Sequence, residues 1–251
     1  MPKFEKPQEG NPHGLVINQH TFPAKSIARF ADTDGRVHLE MKPAGPIWRA
    51  KPTDSIFCAR RAWDYDAEVG LMKMIEDRFQ QLADLIIDGR VLTFDAEQTH
   101  DISSFYALWM ARAEIRDQPG KDAVARGMMP SARRWSKDEE EGLEKARLAF
   151  FRGATMPAHV VNGPRATILV ARHLRQTNPT AIWGVIRASG GEFVVPDWPF
   201  VHPFIPINPT LALVNHAINQ TLDRDAVRIV NKQLRAASRC YFFARDLATS
   251  L

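Results

Sequence analysis

Cysteine is nearly missing from this chain: 251 residues carry two, Cys58 and Cys240, far apart and in no metal-ligand spacing. A secreted disulfide scaffold carries more, so both are expected as reduced thiols in a reducing compartment. No run of ~18 apolar residues exists, which excludes an evident membrane-spanning helix; the longest apolar-leaning stretch, residues 205–214, is broken by Pro206, Asn208 and Pro209. The first dozen residues are polar, without the apolar segment of an export signal. These absences make the cytoplasm the expected location, with no membrane partner.

A large excess of charge is missing too. Lys and Arg number 33 against 29 Asp and Glu, a net charge of +4. So small an excess attracts nucleic acid only if the cations cluster. There is no glycine-rich phosphate loop, no Gly-x-Ser-x-Gly nucleophile turn, and no two-histidine zinc spacing among His159, His173, His202 and His216. No metal ligand is read from these spacings, recruitment of a divalent metal by carboxylates alone is left open, and so are the cofactor and the oligomeric state.

What is present is ordinary globular material, 45% hydrophobic and 25% charged, enough to bury a core. Residues 1–14, with Pro2, Pro7, Gly10 and Pro12, are expected to form a flexible arm ahead of one mixed domain over 15–251. Pro23 suits the first turn of a short helix, with Ile27 and Phe30 facing inward. Residues 36–42 alternate polar and apolar, the period of a half-buried strand, and 43–56, rich in Pro and Gly, reads as a loop. Met72, Ile75, Phe79, Leu82 and Ile86 recur at three and four over 66–88, one face of an amphipathic helix, and Gly89 suits its left-handed stop. A second helix spans about 96–115, with Asp95 and Gln98 as a capping-box-like pair and Ile102, Phe105, Leu108 and Trp109 buried.

Residues 116–134, broken by Pro119, Gly120, Gly127 and Pro130, are the best candidate for a mobile loop, and for a domain boundary if there are two domains. Ser136 and Glu139 form a capping box for a helix expected to reach Phe151. A fourth helix is expected over 166–176, closed by Asn178-Pro179. The C-terminal third turns to strands: 182–187, with 192–195 as hairpin partner across a turn at 188–191, then 211–214, a helix capped by Asp223 with Val227, Val230, Leu234 and Ala237 on one face, and a last strand at 241–243. Helices early and strands late predict an α+β fold, with a small, mainly antiparallel sheet built from the early strand and the C-terminal third.

Two segments carry a resemblance. His20-Thr21-Phe22-Pro23 with Ile27 and Phe30 resembles the opening His-x-x-Pro-x-x-x-Leu-x-x-Phe of the bacterial domain of unknown function 4238 family. Residues 192–199, Glu-Phe-Val-Val-Pro-Asp-Trp-Pro, resemble that family's strand ending in Ser-Asp-Asn-Pro, with Pro196 and Trp198 replacing the Ser and Asn. A helix bearing Glu76 and a Phe-rich helix bearing Phe105 and Arg112 follow the same order. The resemblance implies a mixed fold of prokaryotic or phage origin and no established activity.

The candidate catalytic residues are His20, Asp197, Glu76 and Arg112. A histidine ahead of a Pro-started helix suits general acid or base work, its pKa lying near neutrality; it equally suits a backbone bond that fixes the turn. Asp197, at a strand end between Pro196 and Trp198, suits an aimed site residue or an Asx-turn. Glu76, beside Asp77, suits pairing with a cation at the core boundary or a solvated helix face. Arg112 suits a carboxylate or phosphate partner or the C-terminal end of its helix. Arg133, Arg134 and Lys137 around Trp135, with Arg126 nearby, are candidates for contacting nucleic acid, although residues 138–141 are acidic and oppose that field.

Three functions remain open on these grounds. The first is an acid–base hydrolase acting on a phosphate ester or nucleic acid, which requires His20 and Asp197 in one cleft. The second is a non-catalytic protein-interaction factor anchored by exposed tryptophans such as Trp48, Trp135 and Trp198. The third is a nucleic-acid-binding module.

Overall fold

The structure is a computed structural model that describes residues 4–127, 133–177, 181–199 and 202–250. The elements run β1 (Asn18–His20), α1 (Ala24–Ala28), β2 (Val37–Met41), β3 (Ile47–Ala50), β4 (Cys58–Arg60), α2 (Tyr65–Ala67), α3 (Lys73–Ile87), α4 (Ala96–Asp117), β5 (Ala123–Val124), α5 (Lys137–Lys145), β6 (Thr155–Met156), α6 (Ala158–Thr177), β7 (Trp183–Ala188), β8 (Val195–Pro196), β9 (Phe204–Asn208), β10 (Leu211–Asn215), β11 (Gln220–Leu222), α7 (Arg224–Ala237) and β12 (Tyr241–Ala244). The fold is α+β with mainly antiparallel sheets.

Two four-stranded sheets carry the strand content. One has the order β3-β2-β12-β8, so the early strand does pair with the last one, Leu39 opposite Phe243. The other has the order β11-β7-β10-β9, with β11 parallel to β7. Two short pairs, β1 with β4 and β5 with β6, stand apart from these. The helices α3 and α4 meet through Phe79 and Phe105, whose rings stack at 3.6 Å and 5°. Phe243 on β12 is edge-on to Phe30 and Phe57, and Phe22 lies 4.7 Å from Trp109. One apolar cluster therefore joins the segment after β1, the long helices and the β12 sheet.

Local chemistry explains the helix ends. Both halves of the capping box form at Asp95/Gln98 and at Ser136/Glu139. Asp223 caps α7 through Ala226 N–H. Gly89 takes φ +71° after α3, a conformation that costs glycine nothing.

Several expectations need correction. The described part of the expected flexible arm is docked along α5: Gln8 N–H donates to Glu141 at 2.9 Å, His13 meets Asp138 at 2.8 Å, and Glu5 bonds Arg152 at 2.6 Å. The loop expected over 43–56 contains β3, because Pro43, Gly45 and Pro46 only turn the chain before residues 47–50 pair with β2. The helix from Ser136 stops at Lys145, not Phe151: Arg147 adopts φ +66° while Leu148 N–H bonds Leu143 O, closing the helix without glycine. The hairpin of 182–187 with 192–195 does not form. The β7 strand pairs with β10 and β11, while β8 pairs with β12. Residues 116–134 hold the end of α4 and the strand β5, which pairs with β6; residues 128–132 of that segment lie outside the described residues, as does the Asn178-Pro179 helix stop. The fourth helix begins earlier than expected, at Ala158, and runs through Pro164.

The two cysteines are unpaired, Cys58 buried and Cys240 exposed. Among the described residues no helix is long and apolar enough to cross a membrane.

Candidate acid–base cleft

A cleft of about 420 Å³ opens between the start of α1 and α3, lined by His20, Pro23, Lys25, Glu68, Glu76 and Gln80 among others. Its parts come from different elements. His20 ends β1, held opposite Cys58 of β4. Pro23 turns the chain into α1. Between α2 and α3, within Glu68–Met72, the chain kinks at Gly70, whose φ −94° and ψ −110° are not helical; this kinked stretch carries Glu68.

Arg112 lies beneath the cleft with 2% of its side chain exposed. Its guanidinium forms an ion pair with Glu76, sits 3.8 Å from Glu68, points Nε at Met72 Sδ at 3.4 Å and lies 5.5 Å from the Trp63 ring. Trp63 Nε1–H donates to Glu68. A buried arginine without a carboxylate would be costly, so α3 and the kinked stretch before it each supply one. Of the two readings of Arg112, carboxylate pairing holds, with the partner provided by this chain. Glu76 is likewise paired rather than solvated.

His20 Nε2 lies 3.0 Å from the carbonyl oxygen of Pro52. A carbonyl only accepts, so this nitrogen carries the proton and the neutral ring keeps its lone pair on Nδ1. Burial pushes the imidazole below its ordinary value, outweighing the opposing effects of the Pro52 bond and of Glu76 and Glu68. Among the described residues Nδ1 has no hydrogen-bond partner, and it is not sealed from solvent. His20 thus fixes the backbone and lines the cleft as well.

Asp197 does not join it. Its side chain is fully buried and accepts from Arg239 N–H at 2.7 Å, Cys240 N–H at 3.0 Å and Arg116 Nη2 at 2.7 Å. These three bonds tie β8 to the turn before β12. The required pairing of His20 with Asp197 in one cleft is overturned; His20, Glu76 and Arg112 are brought together without it.

Two cations of the basic segment are paired with carboxylates. Arg133 bonds Glu139 and stacks 4.0 Å from the Trp135 ring, and Lys137 pairs with Glu5 and Glu141. Arg134 is exposed. No group of three or more His, Cys, Asp or Glu among the described residues is arranged to hold a metal ion. Burial pushes the Cys58 thiol up to about 12, so it remains an unreactive thiol near neutral pH.

Glu68 and Asp64 are absent from the sequence-based candidates. Glu68 sits on a kink that no residue spacing announces, whereas Asp64 carries the usual signal of an N-cap, a carboxylate ahead of a helix, accepting from Ala67 N–H at 2.8 Å. Comparison with family models, curated proteins and solved structures gives no match for this chain.

Proposed function

We propose that the cleft between β1 and α3 is an acid–base site that hydrolyses an uncharged ester or amide. The observation that carries this reading is the neutral His20, its Nε2–H committed to Pro52 and its Nδ1 unengaged, in a cleft that Glu68 and Glu76 also line. In this reading Nδ1 takes a proton from water, hydroxide attacks the carbonyl carbon, and the imidazolium returns the proton to the leaving group. The carboxylates of Glu76 and Glu68 favour the ring as it becomes cationic, against the opposing charge of Arg112. Gln81 supplies a donor at the rim.

The cations argue against a phosphate ester or nucleic acid as substrate: Lys25 is engaged by Asp84 at 2.8 Å, Arg112 by Glu76 and Lys73 by Asp77 at 2.7 Å. The test is a panel of chromogenic carboxylic esters, amides and phosphodiesters with the wild type, His20→Ala and Glu76→Gln. Turnover of an uncharged substrate that drops at least ~100-fold in His20→Ala, in the range of lost general-base catalysis, supports the reading; absence of turnover, or turnover indifferent to His20, contradicts it.

A second reading, a protein-interaction factor, is favoured by β3. It is an edge strand, and Ile47 and Trp48 are 61% and 39% exposed on it. An open edge with apolar side chains is suited to adding a partner's strand. Ile47→Lys with Trp48→Lys would abolish binding of such a partner and leave the cleft untouched.

A further inference from the structure

A second cavity, about 530 Å³, lies on the other side of the Gly70 kink, between α2, the end of α5 and α6. Its walls are mainly apolar, with Leu71, Leu148, Met156, Val160 and Ile168. Volume and lining are those of a small-molecule site, where a few placed polar groups fix orientation.

One carboxylate lines this apolar space. Asp64 uses Oδ1 to cap α2, while Oδ2 has no hydrogen-bond partner among the described residues and is not sealed from solvent. The Cβ of any other residue at Gly163 would stand 2.2 Å from Oδ2, so the glycine makes room for the carboxylate. The next residue, Pro164, has no N–H to donate to the carbonyl of Val160, four residues earlier on α6. The Gly163-Pro164 step thus accommodates a carboxylate and deprives a backbone carbonyl of its usual partner, beside the same cavity.

The other charged groups nearby are engaged: Arg147 with Asp66 at 2.5 Å, and Glu144 with Arg61 and with His159 at 3.3 Å. We propose that this cavity binds a small molecule with an apolar body and a primary ammonium head, the head donating to Asp64 Oδ2 and the body lying against Leu71 and Ile168. An ammonium supplies donors and a positive charge, which suit an unpaired carboxylate; an anion or a bare hydrocarbon would leave it unmatched. Burial, with the fields of Asp66 and Glu144, pushes the Asp64 carboxyl up to about 6, against the Ala67 bond and His159. The carboxylate is therefore mostly charged at pH 8 and mostly protonated at pH 5, while an alkylammonium keeps its charge throughout.

The test titrates n-hexylamine and hexan-1-ol into the full chain by calorimetry, with backbone amide shifts to locate binding. At pH 8 the amine is expected to bind at least ~10-fold more tightly than the alcohol, to move the amides of Leu71 and Ile168, and to lose most of that margin at pH 5. Asp64→Asn keeps a good N-cap and is expected to remove both the preference and its pH dependence. Equal binding of amine and alcohol, no saturable binding of the amine, or a preference unchanged between pH 8 and pH 5 in the wild type would each overturn the proposal. The wild-type pH series decides even where Asp64→Asn does not fold.

Discussion

Arg116 Nη2 stands 2.7 Å from Asp197 Oδ2, joining the end of α4 to the turn after β8. The same carboxylate accepts from Arg239 and Cys240 N–H groups. This makes Asp197 a structural anchor. Asp197→Ala would leave a nearly buried guanidinium without its partner and two backbone donors unmet. The expected loss is about 3–5 kcal/mol of stability, measured by urea unfolding, with no change in any cleft activity beyond the lost folded fraction. A loss below ~1 kcal/mol would show that the anchor is replaceable.

Gly163 and Asp64 are coupled by contact. Gly163→Ala is expected to cost about 1–3 kcal/mol, the usual range for forcing atoms into a packed site. Combined with Asp64→Ala, most of that loss should return, since the obstructing oxygen is gone. Additive losses in a double-mutant cycle would mean that the crowding lies elsewhere.

Acid stability should depend on Glu5. Burial raises its pKa, but hydrogen bonds from Arg152 and Lys137, with His159 nearby, prevail and hold it down to about 2. A depressed carboxyl stabilises the folded state above its ordinary value, and that contribution is lost as pH falls from about 4.5 towards 2. Glu5→Gln should therefore lower stability at pH 7 and flatten the dependence across that window. Parallel curves for variant and wild type would refute the docked position of residues 4–14.

Asp64 has the opposite sign. Its raised value means that the folded state binds the proton more tightly than the unfolded chain, so stability is gained as pH falls through about 6. Asp64→Asn should raise stability above that pH by on the order of 2 kcal/mol and narrow the difference below it. Thermal unfolding at pH 5 and pH 8 checks this directly.

Much of the fold was legible where local chemistry decides. The capping boxes at Asp95 and Ser136 and the stripe from Met72 to Ile86 need only near neighbours, and they formed as read. The failures lie where distant partners decide. Residues 188–191 look like a hairpin turn, yet Asn231 on α7 bonds Val194 N–H and Glu192 O and draws that segment away from β7. Pro206 reads as a break in an apolar stretch, but β9 is an edge strand, where a missing donor is tolerated. In the cleft, His20, Glu76 and Arg112 were visible as residue types, and their convergence was not. Asp197 looked like a site residue because a strand end flanked by prolines suits a rigid anchor equally well.

The central claim, a neutral His20 presenting Nδ1 to the cleft, is tested most directly by two-bond nitrogen–proton NMR of the imidazole across pH 4 to 9. The expected spectrum shows the Nε2–H tautomer and a midpoint below the ordinary histidine value of 6.5. A proton on Nδ1, or a midpoint above that value, would contradict the account.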